Sequence, residues 1–163
     1  MKVTGLKTFS LLAAVLSFVG FQSTAQANNV ELEVNANQLV ATSRGNCSQN
    51  NTNGCVRATG NIQISFTLVK SSCASGEDWS LSQVILGNSK SSRGSISAVA
   101  ASDFNANQSS GVVTPVGNPS ERHILIRDNN TAAYEIWYTV TATCGDKTIE
   151  LDPRVVNDGT GHP

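Results

Sequence analysis

The chain has 163 residues, 39% apolar and 14% charged, with 11 Lys and Arg against 12 Asp and Glu for a formal charge of −1. So weak and scattered a charge excludes the basic footprint that nucleic acid or an anionic membrane surface requires. The length suits one domain with a single core.

At the N-terminus, Lys2 and Lys7 precede an almost wholly apolar run over residues 9–21. Thr24-Ala25-Gln26-Ala27 then places small residues three and one positions before a cut after Ala27. That order is a secretory signal peptide, expected over 1–27 and, with its compact Lys-bearing start, of the bacterial kind. The run is too short for a comfortable membrane span. No cysteine stands at the cut for a lipid anchor, and no later segment is apolar enough for insertion after cleavage. The expected mature domain, 28–163, keeps nine basic residues against twelve acids, a formal −3, and its location is periplasmic or extracellular.

The mature chain opens with "VELEV", in which Val30, Leu32 and Val34 alternate with Glu31 and Glu33, the period of a half-buried strand. Leu39 to Ala41 continue it past a kink at Asn35-Ala36-Asn37. "IQISFTLV", 62–69, sets Ile62, Ile64, Phe66 and Leu68 on one face. "WSLSQVIL", 79–86, follows a turn, and the two strands read as a hairpin. Residues 87–95 form a polar loop, and 96–100 a short strand. Residues 102–120, with Pro115 and Pro119, form an irregular loop of a length that is usually functional or mobile. "RHILIRD", 122–128, is the next strand. In "AYEIWYTVTATC", 133–144, Tyr134, Ile136, Tyr138, Val140, Ala142 and Cys144 share the inward face. "KTIELDPRVVN" closes the domain. No stretch beyond the signal shows helical periodicity. Seven to nine short strands with Gly, Asn and Ser turns predict an all-β, antiparallel β-sandwich, immunoglobulin-like or barrel-like. An immunoglobulin domain would place its Trp about a dozen residues after the first bridge cysteine. Trp79 follows Cys73 by only six.

The four cysteines, Cys47, Cys55, Cys73 and Cys144, all follow the cut, and an even count in an exported chain predicts disulfides. No CxxC or HxxxH spacing supports a metal site. Of three possible connectivities, Cys47–Cys55 with Cys73–Cys144 is expected, because the first pair brackets one turn-rich loop, 48–54. Closing it restricts the unfolded chain by about 2.6 kcal/mol on a loop-entropy model, and the longer bridge by about 4.4 kcal/mol. The short bridge would protect a loop otherwise open to proteases, or present it for contact.

Catalysis has little to work with. The histidines are His123 and His162, no GxSxG elbow is present, and every cysteine is expected to be bonded. Asp146, Asp152 and Asp158 lie near strand ends without an evident pairing. No enzyme activity, catalytic residue or cofactor is therefore expected. Asp103, Asn105 and Asn107 echo the start of a calcium loop, but Gln108 and Thr114 stand where its Gly and Glu belong. "DNNT" from Asp128 and "NDGTG" from Asn157 are two more oxygen-rich turns that turn chemistry explains, and no metal ligand is assigned. Trp79, Trp137, Tyr134 and Tyr138 could line a carbohydrate platform. The phase of Tyr134 and Tyr138 points them to the core, and Trp137 shares the other face with Thr139, Thr141 and Thr143. In a bacterial exporter the sequons at Asn46 and Asn129 are incidental.

The segment 134–157 resembles the ending of small bacterial β proteins related to inclusion-body proteins: an aromatic-rich strand, a turn, then Asp152-Pro153, Val155 and Asn157. The resemblance implies a fold more than an activity. Asp-Pro would start an edge strand with a missing donor, and Val155 would plug the core. Chaperone-usher pilins are similar in size, export and Ser/Thr/Asn content. Their C-terminal strand ends near a penultimate aromatic, where this chain has Gly-Thr-Gly-His-Pro. Two functions are expected: a non-enzymatic binding module for a protein or glycan partner, using 102–120, or a structural subunit of a surface or fimbria-like assembly, donating 30–34 in trans.

Overall fold

The computed structural model describes residues 26–43, 45–47, 53–70, 72–73 and 76–161. Nearly all of the expected signal peptide (1–27), most of loop 48–54 and His162 lie outside these residues. In chain order the elements are β1 (Gln26–Asn35), β2 (Gln38–Ala41), β3 (Val56–Ala58), β4 (Ile62–Lys70), β5 (Ser80–Ser89), β6 (Ser92–Arg93), α1 (Ala98–Phe104), β7 (His123–Asp128), β8 (Ala133–Cys144), β9 (Lys147–Leu151) and β10 (Arg154–Asp158).

The strands form two sheets, ordered β2-β1-β4-β7 and β3-β10-β8-β5-β6, with β9 also on β8. Burying one apolar face of each sheet against the other makes the sandwich. Ile62, Ile64, Phe66 and Leu68 of β4 are buried against Ile136, Tyr138, Val140 and Ala142 of β8 as the alternation predicts. The Phe66 and Tyr138 rings meet with centroids 5.1 Å apart. Most pairings are antiparallel, but β1 runs parallel to β4 and β10 parallel to β3. β1 is an interior strand, paired with β2 on one side and β4 on the other. Its pairing starts at Gln26 and Ala27, opposite Ile62 and Gln63, at the very point where the expected cleavage falls.

Four expectations are corrected. Leu39 to Ala41 do not continue the first strand past a kink: the left-handed Ala36 and Asn37 reverse the chain, and β2 pairs back antiparallel along β1 with Asn35 opposite Gln38. The strands 62–69 and 79–86 are not a hairpin: β4 and β5 lie in different sheets. Period-two alternation is the same for a hairpin and for a crossing between layers, and the connection through Cys73 is long enough to cross. Residues 96–100 are not a strand, and the chain does contain a helix. Ser97 caps α1 by accepting from the Ala100 N–H at 3.1 Å, and Asn105 closes it in the left-handed conformation (φ 50°). Three alanines favour this turn of helix, which buries Ala100 and Phe104 but is too short to show a period. Finally, Asp152-Pro153 does not begin an edge strand. Val140 pairs with Leu151 and Trp137 with Arg154 in one unbroken register, so β9 and β10 are two halves of one strand along β8. β10 is interior, between β8 and β3. Asp152 Oδ1 accepts from Thr139 Oγ1 at 2.6 Å and Pro153 O accepts from the Tyr138 N–H at 3.0 Å, so the strand stays bonded to β8 through the proline. Val155 is fully buried.

The disulfides are Cys47–Cys55 and Cys73–Cys144. The long one ties the β4–β5 crossing to the end of β8. The short one sets Asn46 against β3, where Asn46 Oδ1 accepts from the Arg57 N–H and its Nδ2 donates to Arg57 O at 3.2 Å. One amide side chain thus mimics a neighbouring strand and closes the outer edge of β3, a position that would otherwise template pairing with another chain. The Tyr138 hydroxyl, buried in the core, donates to Gly54 O and anchors the same segment from inside. Asn46→Ala should therefore cost about 1 kcal/mol and speed hydrogen exchange at the Arg57 amide. Unchanged exchange there would show that Asn46 does not close the edge.

Candidate functional site

Three oxygen-rich turns, distant in sequence, meet at one end of the sandwich. Asn130, fully buried and left-handed at φ 50°, is their junction. Its Nδ2 donates to Ala58 O (3.2 Å), Gly60 O (3.3 Å) and Asp158 Oδ1 (2.6 Å), and its Oδ1 accepts from the Gly159 N–H (2.9 Å). Its carbonyl accepts from the Gly161 N–H at 2.8 Å, while Thr160 Oγ1 accepts from the Gly60 N–H at 2.9 Å. One residue thereby joins the β3–β4 turn, the β7–β8 turn and the C-terminal segment. Beside it, Asp103 of α1 is 1% exposed. Its carboxylate accepts from Thr131 N (3.2 Å), Thr131 Oγ1 (2.7 Å) and the Tyr134 hydroxyl (2.8 Å), which locks the helix onto the β7–β8 turn. Burial, and then the bond to Asp103, push the Tyr134 phenol upward.

Asp128 completes the junction from the end of β7. Its Oδ1 accepts from Asn130 N (2.9 Å) and Asn157 Nδ2 (3.1 Å), whereas Oδ2 and Asn157 Oδ1 have no hydrogen-bond partner among the described residues. Burial raises the carboxyl to about 7 against those two bonds, and the charges of Asp103 and Asp158 add to the rise. A proton on Oδ2 would turn one of two bare acceptors into a donor. The half-buried Asp158 is shifted the other way, lowered mainly by its bond from Thr160.

The irregular segment after α1 is held closely by backbone bonds. Ile96 N donates to Gln108 O, Leu86 N to Gly111 O, Val113 N to Val84 O and Thr114 N to Asn105 O, all at 2.8–3.0 Å. Gly111 takes φ +68°, and a Cβ there would stand 2.3 Å from Leu86 O, so only glycine allows this approach. Along the outer edge of β7, Leu125 O accepts from Val116 N at 2.7 Å, and Asn129 N, just past the strand, donates to Asp103 O at 3.0 Å. By strand alternation the main chain of Arg127, between them, faces the same way. Neither α1 nor the loop bonds to it among the described residues. At this gap lies a cavity of about 400 Å³ lined by Ser102, Asn105, Thr114, Pro115, Arg127 and Asn129, with Asp103 at its back. The exposed Arg127 guanidinium makes no ion pair among the described residues. A second cavity, about 420 Å³, lies by β2 and β9, but its Arg93 is already bonded to Glu150 and Asp152.

The residues singled out from the sequence are partly brought together. Asp103 and Asn105 reach the cavity, but Asn107 does not join them: its Oδ1 accepts from Ser109 N, Ser109 Oγ and Ser110 N. The calcium-loop echo is thus divided between a buried anchor, a helix end and a turn, and the described residues hold no cluster of three His, Cys, Asp or Glu suited to a metal. Trp79 and Tyr138 are buried and Tyr134 is bonded to Asp103, so these three rings are not a platform. Trp137 is half-buried on a face where Thr139 and Thr141 are covered. His123 Nε2 lies 2.9 Å from Ser65 Oγ, a contact that strand register creates and sequence spacing hides. The pair bridges Ser65 of interior β4, whose backbone groups are spent in ladders on both sides, and His123 at the start of edge strand β7. Asp146, Asp152 and Asp158 are in three different places, the last at the Asn130 junction. The junction itself was not foreseen, since "DNNT" and "NDGTG" each read as a local turn.

The raised Asp128 gives a sign to the pH dependence. An acid that titrates near 3.9 in the unfolded chain and about 7 in the folded one contributes stability that is full below about pH 4 and is lost as pH rises to about 7. Asp158, depressed, acts only below its ordinary range. Melting temperature should therefore fall from pH 5 to pH 8, by the equivalent of roughly 2–3 kcal/mol. Asp128→Asn should flatten that fall and exceed the wild type at pH 8. A wild type equally stable at both pH values would show that Asp128 is ionised throughout.

No family model and no curated protein matches the sequence. Among solved structures, the McoA multicopper oxidase from the hyperthermophile Aquifex aeolicus is similar over 82% of this chain, with 11% identity and a TM-score of 0.38. The chain spans 30% of that protein's length.

Proposed function

We propose that the mature chain is an exported bacterial binding module, periplasmic or secreted, without catalytic activity, whose contact face is the end of the sandwich where α1, the 105–121 segment and β7 meet. Its two disulfides are consistent with an oxidising compartment, and no described helix is long and apolar enough to cross a membrane. The observation that carries the reading is the gap at Arg127. An edge strand is covered on both sides of this residue and left open at it, over a cavity within the usual range of about 300–1,000 Å³ for small-molecule sites. The cover at Leu125 and Asn129 leaves no run of open edge for an added strand. That favours a compact ligand, or one terminal group of a larger one, over an extended peptide. The other reading, a subunit that donates residues 30–34 in trans, has less to support it, because β1 is paired in cis along both edges.

The test is shift mapping of the isotope-labelled mature protein against a mixed set of sugars, amino acids and organic acids. Binders should move the amides of Ser102, Asn105, Thr114 and Asn129 together. Binding confined to other faces, or a heavy polydisperse species in light scattering, would contradict the reading.

A further inference from the structure

Resting on that reading, we infer that the cavity at Arg127 takes a singly charged sugar acid, a hydroxylated ring bearing one carboxylate of the uronic acid type. The argument begins with charge. Arg127 offers a planar, permanently cationic fork that matches a carboxylate with two parallel bonds, and among the described residues no internal acid occupies it. Asp103 stands at the back of the same cavity, and the mature chain is net negative. One carboxylate therefore suits the site better than a phosphate dianion or a densely charged polyanion, which both would repel.

The rest of the lining speaks to the remainder of the ligand. The Asn105 and Asn129 amides each carry donors and an acceptor, and the Ser102 and Thr114 hydroxyls can do either. The Arg127 main chain adds an N–H and a C=O that nothing in α1 or the loop satisfies. Such a set pairs with vicinal hydroxyls, each of which both gives and takes a hydrogen bond. Pro115 and Val116 supply a small apolar wall for a ring face. The walls are already in place: Ser97 and Asn105 cap the helix, and Thr114 and Val116 are fixed by backbone bonds. Little ordering entropy is then lost on binding.

The experiment uses the labelled mature chain, titrated separately with D-glucuronate, D-glucose and acetate at constant ionic strength. Glucuronate should give saturable shifts at the Arg127 Nε–H and at the Asn105 and Asn129 side-chain amides. Glucose and acetate should bind there at least tenfold more weakly. Arg127→Lys, on an exposed position, should keep the melting temperature and weaken glucuronate at least tenfold while leaving glucose unchanged. A trigalacturonate arm assigns the source. Tighter binding than the free acid points to a polysaccharide end, and equal binding to a free sugar acid, and either outcome supports the class. Equal responses to glucuronate, glucose and acetate, or an unaffected Arg127→Lys, would overturn it. If other compounds move these amides and glucuronate does not, the ligand class is wrong and the binding face stands. If nothing moves them, both fail.

Discussion

A buried polar group must find a partner inside the protein, and at one end of this sandwich a single side chain answers that demand for three segments. Asn130 takes up two carbonyls of the β3–β4 turn, the Asp158 carboxylate and the Gly159 N–H. The Ala58 carbonyl, left bare in the interior, would alone cost about 1–3 kcal/mol. The left-handed backbone at Asn130 is what lets its main chain turn from β7 into β8 while its amide points inward. Asparagine is the non-glycine residue that adopts this conformation most readily and still brings donors and acceptors.

The geometry of the cavity follows from this junction. Asp128 and Asn129 lead into Asn130, and Thr131 leads out of it to Asp103. The bonds at Thr131 and Tyr134 fix α1 against β7, and the position of α1 determines where Asn105 and Thr114 stand. The opposite end is held differently, by Cys73–Cys144 and by Trp79 in the core. One end thus relies on a covalent bridge and apolar packing, the other on a polar network. A network of this kind is sensitive to protonation in a way that a disulfide is not, and Asp128 supplies that sensitivity.

Much of the fold was legible. Alternation in 62–69 and 133–144 identified the two central strands and their inward faces, and the bracketing of one polar loop identified the disulfide pairing. Alternation could not say which sheet a strand joins, because the same pattern serves a hairpin and a crossing between layers. The helix escaped because seven residues, about two turns, show no period, although Ser97 and Asn105 are the residues that cap it. The site was half legible. The length and prolines of 102–120 drew attention to the right segment, and Asp103 and Asn105 were noted for their oxygens. Their roles were not visible, since Asp103 is turned inward to Thr131 and Tyr134, residues 28 and 31 positions away. Arg127 carried no signal at all: only the cover on either side of it makes its gap meaningful.

The central claim is that the three turns form one cooperative unit around Asn130. Hydrogen exchange of Asn130→Gly tests it most directly, because glycine keeps the left-handed backbone and removes only the amide. The account predicts faster exchange in all three segments together, at Gly60, at Thr131 and at Gly159, with the amides of β4 and β8 far from the junction unchanged. Acceleration at Gly159 alone would contradict it, and would reduce Asn130 to a local cap on the C-terminal segment.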